Sequence, residues 1–308
     1  MKYFSILIKT FLTILIISLL IYSVGWNKIL NSFRLVNRSN IVKAAALVPV
    51  VMLLGALKWF FLLRGHGSRI SYFQAFRSFF FGMGIGVFTP GKAGEFARIL
   101  LIPDSSALNL AALVIYDRLI DLAAVILLAM FSVYYFFGTM TGFWYMFGTF
   151  VVLFLIMERR ILFGGFRNIL KKVPPLAPIV KERSVIIELG LDTVSICFLI
   201  RLILSIVDLF QFYLLISAFH SIYLIEVLLC YPPMLLISVL PFTISGLGIR
   251  ESFSAYILSG FGIPSAAAIN SAFLLFCINT LFPGLLGVIF AYNLKIPFQI
   301  KQNNAQKQ

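Results

Sequence analysis

The sequence predicts an all-α polytopic membrane protein, with about six crossings and two broken or re-entrant hairpins arranged as an inverted repeat. The composition is the first reason: hydrophobic residues make up 61% of the 308 residues, charged residues only 12%, and the mean hydropathy is +1.02. A soluble domain is about half apolar and about a quarter charged. The second reason is a short motif of helix breakers and charges that occurs twice in apolar surroundings, at 88–95 and 242–251.

Apolar runs that can cross a bilayer as helices follow one another along the chain, since a spanning helix needs about 20 apolar residues. We interpret the first run as a retained helix, because it is long for a signal-peptide core and no small-x-small cleavage site follows it. The predicted crossings lie near 4–24, 43–63, 108–137, 142–157, 195–219 and 265–293.

Two further apolar stretches, 71–101 and 222–260, are each interrupted by the repeated motif. Irregular backbone at membrane depth is tolerated only where protein or a watery cavity surrounds it, so each stretch predicts a helix, a turn and a returning helix. Broken helices in corresponding positions of two halves point to the binding site of a transporter. The two copies are Phe88-Thr89-Pro90-Gly91-Lys92-Ala93-Gly94-Glu95 and Phe242-Thr243-Ile244-Ser245-Gly246-Leu247-Gly248-Ile249-Arg250-Glu251.

The spacing between the two copies predicts a repeat of whole units. Phe88 and Phe242 are 154 positions apart, which is half of the 308-residue chain. Shifting the crossings that flank the first copy by this distance places them on the crossings that flank the second. The sequence therefore predicts one integral membrane domain over 1–308, with repeat unit one at 43–137, repeat unit two at 197–291 and a cytoplasmic basic linker at 158–194.

The distribution of Lys and Arg predicts the orientation, because short cytoplasmic loops are enriched in these residues. The linker at 158–194 carries seven of them and is therefore expected inside the cell. Counting crossings from the linker places both termini on the cytoplasmic side of the cytoplasmic membrane. It also inverts the two units, so that the first hairpin enters from the cytoplasm and the second from outside. The loop at 25–42, with Lys28, Arg34 and Arg38, falls outside and conflicts with this rule.

The sequence excludes several other classes of protein. The net charge of +14 is explained by cations in loops that face anionic lipid, and no basic and aromatic face suited to nucleic acid is present. No Walker, GxSxG or HExxH motif indicates a soluble catalytic domain. The cysteines and histidines form no ligand pattern, so we expect no metal or other cofactor. These residues are Cys197, Cys230, Cys277, His66 and His220.

The charges that follow each turn are the first candidates for a site. Glu95 and Arg98 are three residues apart, so they can pair if that segment is helical. Lys92, Arg250 and free amides at the two tips can hold a phosphate, because helix N-termini favour anions. The alternative is that these charges only hold the two halves together. A charge at this depth costs at least ~2.5–3.5 kcal/mol, which is why such groups line a cavity or pair.

Two other crossings carry charges. Asp117, Arg118 and Asp121 lie about 15 Å along the helix that begins near Ala107, and Arg118 can reach Asp121. The two carboxylates are one turn apart, which suits either a proton-coupled cavity or a structural ion pair. Arg201 and Asp208 are two turns apart on one face of the 195–219 crossing, where site lining and interhelical hydrogen bonding remain alternatives.

Taken together, these motifs resemble the flippase-like family defined by the transmembrane region of lysylphosphatidylglycerol synthases. The similarity covers about 4–293 and rests on the segment from Pro90 to Glu95 with Arg98, on Asp117-Arg118 with Asp121, and on the segment from Gly246 to Glu251. The resemblance implies an inner-membrane protein that handles lipid. In the two-part synthases this region is associated with moving aminoacylated phosphatidylglycerol to the outer leaflet, and a separate soluble domain makes that lipid.

The chain is not expected to carry that soluble domain, and lysyl transfer is therefore not predicted. Some stand-alone relatives are linked to polyprenyl-phosphate sugar pathways. Lys92 occupies a position where relatives commonly have Arg, and Lys makes a point contact where Arg grips phosphate with two bonds.

The leading hypothesis is the flipping of a phospholipid or polyprenyl-phosphate-linked lipid across the cytoplasmic membrane. The alternatives are an intramembrane transferase, with Asp117, Asp121 or Glu95 as general base, and a non-catalytic membrane partner of a lipid or glycan synthase. The expected partners are anionic membrane lipids and a separate lipid- or glycan-synthesis enzyme, without nucleic acid. The predicted substrate-binding residues are Pro90, Gly91, Lys92, Gly94, Glu95, Arg98, Asp117, Arg118, Asp121, Gly246, Gly248, Arg250 and Glu251.

Overall fold

The structure, a computed structural model, confirms the all-α polytopic fold, because every regular element of its described part is a helix. Several predicted features lie outside that part: the 4–24 crossing apart from Ser18 and Tyr22, most of the linker, and Phe88, Pro90, Gly91 and Phe242 of the motif. The described residues are 18, 22, 27, 29, 31–32, 36–87, 89, 92–102, 107–157, 189–239, 243 and 245–293.

The helices follow the predicted order of crossings and hairpins. One segment, Ala93–Leu101, is a 3₁₀ helix, and a π-helical turn at Cys277–Leu281 interrupts the last crossing. The α-helices are α1 Arg38–Ala46, α2 Val48–Gly65, α3 Tyr72–Val87, α4 Ala107–Met157, α5 Leu191–Ser217, α6 Leu224–Val239, α7 Ile249–Ser259, α8 Ser265–Phe276 and α9 Phe282–Asn293.

Within the described residues, four helical stretches are long and apolar enough to span a membrane: Arg38–Gly65, Asn109–Phe154, Leu191–Ser217 and Ser265–Ile289. The second has 46 residues. If straight, it would be about 69 Å long, more than twice the hydrocarbon thickness of a bilayer.

Helix α4 avoids this mismatch by folding back at Gly138. Gly138 has a φ of 79°, a left-handed conformation that glycine adopts without steric cost. Beyond the break, the Tyr145 hydroxyl donates a hydrogen bond to the carbonyl of Ile126 at 3.2 Å, which requires the second arm to run antiparallel to the first. The arms 107–137 and 139–157 therefore form two crossings, in agreement with the predicted runs.

Both motif copies form turns between short helices. The first hairpin consists of α3 and the 3₁₀ helix, and the second of α6 and α7. The arms have 16 and 9 residues in the first hairpin and 16 and 11 in the second. An arm of 16 α-helical residues is about 24 Å long, too short for the roughly 30 Å hydrocarbon core. The lengths favour re-entrant hairpins over spanning ones.

Glycines bring the two arms of the first hairpin close together. A Cβ at Gly94 would lie 2.5 Å from the backbone of Ile85, and a Cβ at Gly86 would lie 2.7 Å from Cγ of Glu95. Real Cβ atoms do not approach other atoms so closely, so neither position tolerates a side chain without a shift. The small residues of the motif therefore hold the 3₁₀ helix directly against α3.

Each hairpin packs on a helix of the opposite half. Helix α3 lies against α9, and α6 lies against α4. The α3–α9 contact is backbone to backbone: a Cβ at Gly84 would lie 2.8 Å from the amide nitrogen of Val288, and one at Gly287 would strike the carbonyl oxygen of Phe80. This reciprocal packing agrees with two equivalent units, and the repeat boundaries at 43–137 and 197–291 stay a prediction.

Candidate functional site

Eleven charged residues from the crossings and hairpins lie close to one another, and we call this group the polar core. It joins α2, the 3₁₀ helix, α4, α5 and α7 with the tip of the first hairpin. Isolated charges are costly in hydrocarbon, so their pairing accounts for their placement. The polar core comprises Lys58, Lys92, Glu95, Arg98, Asp117, Arg118, Asp121, Arg201, Asp208, Arg250 and Glu251.

Asp117 is the most enclosed carboxylate of the polar core. Its Oδ1 lies 2.8 Å from Nζ of Lys58, and its Oδ2 accepts a hydrogen bond of 2.8 Å from Nη2 of Arg98. These three side chains are at most 5% exposed. Lys58 also pairs with Asp121, so one ammonium bridges the two carboxylates of α4. The sequence analysis missed Lys58, although a lone lysine in the 43–63 crossing is itself a signal of a buried ion pair.

Arg98 is locked in place by the protein around it. Its guanidinium carbon lies 3.8 Å from the centre of the Trp59 ring, a close cation–π contact. Ser78 accepts a hydrogen bond from the Trp59 indole and donates one of 2.8 Å to the carbonyl of Arg98. A Cβ at Gly82 would lie 2.8 Å from Cβ of Arg98. Arg98 is thus buried and occupied, which favours a structural role over contact with a ligand.

The expected pair between Glu95 and Arg98 is wrong. Glu95 forms an ion pair with Arg118, and Arg98 forms one with Asp117. The physical reason is that the face of the 3₁₀ helix carrying both residues packs on α4, which offers each of them an opposite charge. The predicted contact within α4 is confirmed, with Arg118 Nη1 3.3 Å from Oδ2 of Asp121.

Arg201 connects the two halves of the chain. Its Nε lies 3.5 Å from Oδ1 of Asp121, and its Nη1 lies 3.7 Å from Oδ2 of Asp208. The shared face predicted for Arg201 and Asp208 is confirmed by this ion pair. Asn279 then donates hydrogen bonds to Oδ1 of Asp208 at 3.4 Å and to Gln211 at 2.8 Å. The interhelical hydrogen bonding predicted for this stripe is therefore confirmed, and its role in lining a site stays a prediction.

The second hairpin contributes a pair of its own. Arg250 Nη2 donates a hydrogen bond of 2.7 Å to Oε1 of Glu251, and the guanidinium faces the Phe276 ring at 5.4 Å. Oε2 of Glu251 accepts a hydrogen bond of 2.7 Å from the amide of Gly248, which begins α7. Arg250 is 8% exposed, so this pair is largely enclosed.

The two hairpin tips touch each other. Ser245 Oγ donates a hydrogen bond of 2.9 Å to the carbonyl of Val87, which ends the first arm of the other hairpin. Both tips contain a non-glycine residue in the left-handed region, with φ of 56° at Lys92 and 51° at Ser245. Such strain persists only where the surrounding structure enforces it, and it clusters at functional sites.

Amides at the tips already have internal acceptors. The amide of Gly94 donates a hydrogen bond of 2.6 Å to Oγ1 of Thr89, and the amide of Gly248 is capped by Glu251. Gly246, with a φ of 76°, makes the turn before α7. Because these amides are already hydrogen-bonded, side-chain cations are better placed than the tip amides to bind an anion.

Two cations of the polar core remain open to the surroundings. Lys92 is exposed, has no carboxylate within ion-pairing distance among the described residues, and lies within electrostatic range of Glu95, Arg118 and Arg250. The side chain of Arg118 is 43% exposed even though it pairs with Glu95. Arg118 also borders a small pocket lined by Phe79, Met83, Glu95, Arg98 and Arg118.

A comparison with protein families gives one match. The profile of the lysylphosphatidylglycerol synthase TM region matches residues 6–287, which include both motif copies and the whole polar core. Among curated proteins, none is significantly similar to the chain.

Proposed function

We propose a lipid-translocating function for this chain, which belongs to the family of the lysylphosphatidylglycerol synthase transmembrane region. Its cargo is a phospholipid or polyprenyl-phosphate-linked lipid that crosses the cytoplasmic membrane. The headgroup passes between the two hairpin tips while the tails stay in lipid. The observation that carries the proposal is the meeting of the tips, through Ser245 and Val87, beside the polar core.

Three cations are placed to attract the phosphate. Lys92 and Arg118 are exposed beside the first tip, and Arg250 begins the returning helix of the second. Arg118 and Arg250 each have a carboxylate partner, Glu95 and Glu251, that neutralises the cation when no headgroup is present. An arriving phosphate joins these pairs without displacing the carboxylates and is balanced by Lys92, so no carboxylate has to lose its cation in a medium of low dielectric constant.

The closed tips correspond to an occluded conformation in this proposal. A headgroup enters only if the contact between Ser245 and Val87 opens, and the hairpins then move relative to each other. Alternating access in transporters built from inverted repeats is largely rigid-body rocking of one repeat against the other. The hydrogen bond between the tips is a modest barrier, of about 0.5–1.5 kcal/mol net, which suits a contact that must break in each cycle.

The pairing of the carboxylates supports transport over group transfer. A cation beside a carboxylate stabilises its ionised form and therefore makes it a weaker general base. Glu95, Asp117 and Asp121 each face at least one cation at ion-pairing distance. The non-catalytic alternative differs from both transport and group transfer, because a passive partner of a lipid or glycan synthase would tolerate the loss of the tip charges.

We propose that the chain lies in the cytoplasmic (inner) membrane. In the proposed orientation, both termini are in the cytoplasm. It rests on the seven Lys and Arg residues at 158–194 and on the number of crossings. Re-entrant hairpins add no crossing, so the short arms leave this count unchanged. Lipid made by a separate enzyme on the cytoplasmic face would then reach the first hairpin first.

The test is translocation in proteoliposomes that carry fluorescent phosphatidylglycerol, with membrane-impermeant dithionite added to bleach the outer leaflet. Wild-type protein should let the bleached fraction rise beyond half, and Lys92→Gln and Arg250→Gln should slow that rise about tenfold or more, because each loses an attraction for phosphate. Arg77→Gln is the matched control, since Arg77 is an exposed cation that faces Phe73 away from the tips.

Failure of the wild-type protein to move any lipid, across phosphatidylglycerol and polyprenyl-phosphate lipids, would contradict the proposal. Translocation that survives both tip substitutions unchanged would instead favour the non-catalytic alternative. Elution from a sizing column and the melting temperature in detergent establish that each variant is folded.

A further inference from the structure

We infer that the headgroup recognised at the hairpin tips is a phosphodiester with a net charge of −1, and that zwitterionic, phosphomonoester and diphosphate lipids are disfavoured. The inference rests on the proposed function and narrows its substrate class. It follows from the charge balance of the polar core, from the position of its one unmatched cation, and from the low dielectric constant of the surroundings.

The polar core carries a net charge of +1. It has six cations and five carboxylates within the part of the chain that the structure describes. Five of the cations have a carboxylate within 4 Å, in pairs that cross from helix to helix or lie within one. These five are Lys58, Arg98, Arg118, Arg201 and Arg250, and the carboxylates are Glu95, Asp117, Asp121, Asp208 and Glu251.

Lys92 is the sixth cation and has the position that a headgroup needs. It stands at the tip of the first hairpin, in a left-handed turn that directs the chain back along α3. It is exposed, whereas the paired Lys58 and Arg98 are buried. Its electrostatic neighbours are the cations Arg118 and Arg250 and the carboxylates Glu95 and Asp121. With Lys92 itself, this group has three positive and two negative charges, so an anion bound to Lys92 meets a net charge of +1.

The number of charges on the anion decides whether the site is neutral when occupied. Excess charge at membrane depth is costly, and this holds for an unpaired anion as for an unpaired cation. A phosphodiester contributes one negative charge and brings the polar core to zero. A phosphomonoester carries between about 1.5 and 2 negative charges at neutral pH and leaves an excess, and a diphosphate leaves a larger one.

The experiment is competitive lipid binding to purified protein, read by native mass spectrometry at pH 8, with phosphatidylglycerol, phosphatidic acid and phosphatidylcholine of identical acyl chains. Wild-type protein should retain phosphatidylglycerol at least about tenfold over the other two, since one uncompensated charge is worth that much or more. Equal or greater retention of phosphatidic acid would overturn the inference.

Two kinds of variant change the charge of the site in opposite directions. Lys92→Gln makes the empty polar core neutral, so phosphatidylglycerol should lose its advantage over phosphatidylcholine, while Lys92→Arg should keep it. Asp208→Asn raises the net charge to +2 without altering either tip, so the preference should move towards phosphatidic acid. Unchanged selectivity in both Lys92→Gln and Asp208→Asn would also overturn the inference.

A water-soluble competitor distinguishes a lipid site from a general phosphate site. Glycerophosphoglycerol, the deacylated headgroup, should displace phosphatidylglycerol only at about hundredfold or greater excess, because it lacks the buried acyl chains. Displacement at equal concentration would contradict a lipid as the ligand. Binding selectivity is measured separately from movement, so a selective protein that moves no lipid refutes translocation while leaving this inference in place.

Discussion

Asp117 shows how one buried carboxylate can determine the stability of its surroundings. It faces Lys58 and Arg98 at 2.8 Å each, and all three side chains are almost entirely enclosed. Removing one partner of a buried ion pair costs about 3–5 kcal/mol, because the remaining charge stays buried without compensation. Lys58 differs from Asp117 in that its loss leaves each of its carboxylate partners with another cation.

We therefore expect Asp117→Asn to lower the melting temperature in detergent much more than Lys58→Met does. The Asn variant leaves Arg98 without a carboxylate, whereas the Met variant leaves Asp117 paired with Arg98 and Asp121 paired with Arg118. The double variant should be more stable than Asp117→Asn alone, since it removes one of the two cations that lose Asp117 as a partner. Equal and additive losses would show that Lys58 and Asp117 do not depend on each other.

The close contact between helices α3 and α9 predicts how a substitution in α9 changes the stability of the protein. Gly287→Ala should destabilise the protein by about 1–3 kcal/mol, because the new methyl group would meet the carbonyl oxygen of Phe80, which cannot rotate away. Gly148→Ala is the matched control: Gly148 lies in the second arm of α4, and a methyl group there would meet no atom of another element within 4 Å. At that position Ala should be neutral or stabilising by up to about 1 kcal/mol.

Thermal unfolding in detergent, followed by tryptophan fluorescence, compares the two glycine variants. A lower melting temperature for Gly287→Ala alone supports close packing of the first hairpin on the opposite half. A loss of similar size in both variants would mean that the effect comes from helix glycines in general and not from this contact.

The sequence predicted those elements whose signals are local. Breakers and charges inside apolar stretches marked both hairpins, and spacing along one helix predicted the contacts of Arg118 with Asp121 and of Arg201 with Asp208. The partners of Arg98 and Lys58 come from other helices, and periodicity along one helix carries no information about which helix will lie beside it. The same limit applies to the glycines of α3, whose role depends on α9.

At the scale of the whole molecule, transport requires the tips to separate. We expect a Val87→Cys/Ser245→Cys double variant to lose lipid movement once a flexible, reducible crosslinker joins the two tips, and to recover it under reducing conditions. The crosslinker must be flexible because the Val87 side chain packs on Gly284, while its carbonyl faces Ser245. The native cysteines, Cys197, Cys230 and Cys277, are first replaced by Ala, so that the crosslinker reacts only with the thiols introduced at the tips. The assay is the dithionite measurement in proteoliposomes, before and after reduction.

Each single variant serves as a control for the crosslinked pair, because it carries one thiol and cannot form the bridge. Full lipid movement in the crosslinked protein would contradict a path between the tips. Loss of movement in a single variant, without a crosslink, would indicate that the substitution itself disturbs the hairpin.

The packing of each hairpin on the opposite half affects how the two halves of the chain associate. Helix α3 packs on α9 as well as on α2 of its own half, and α6 packs on α4 as well as on α5, so each hairpin is fully covered only when both halves are present. A protein cut within the 158–194 linker should therefore persist as a tightly associated pair of fragments. By the same geometry, a free-standing chain of half this length would leave one side of its hairpin uncovered until a second copy, inserted in the opposite orientation, packed against it.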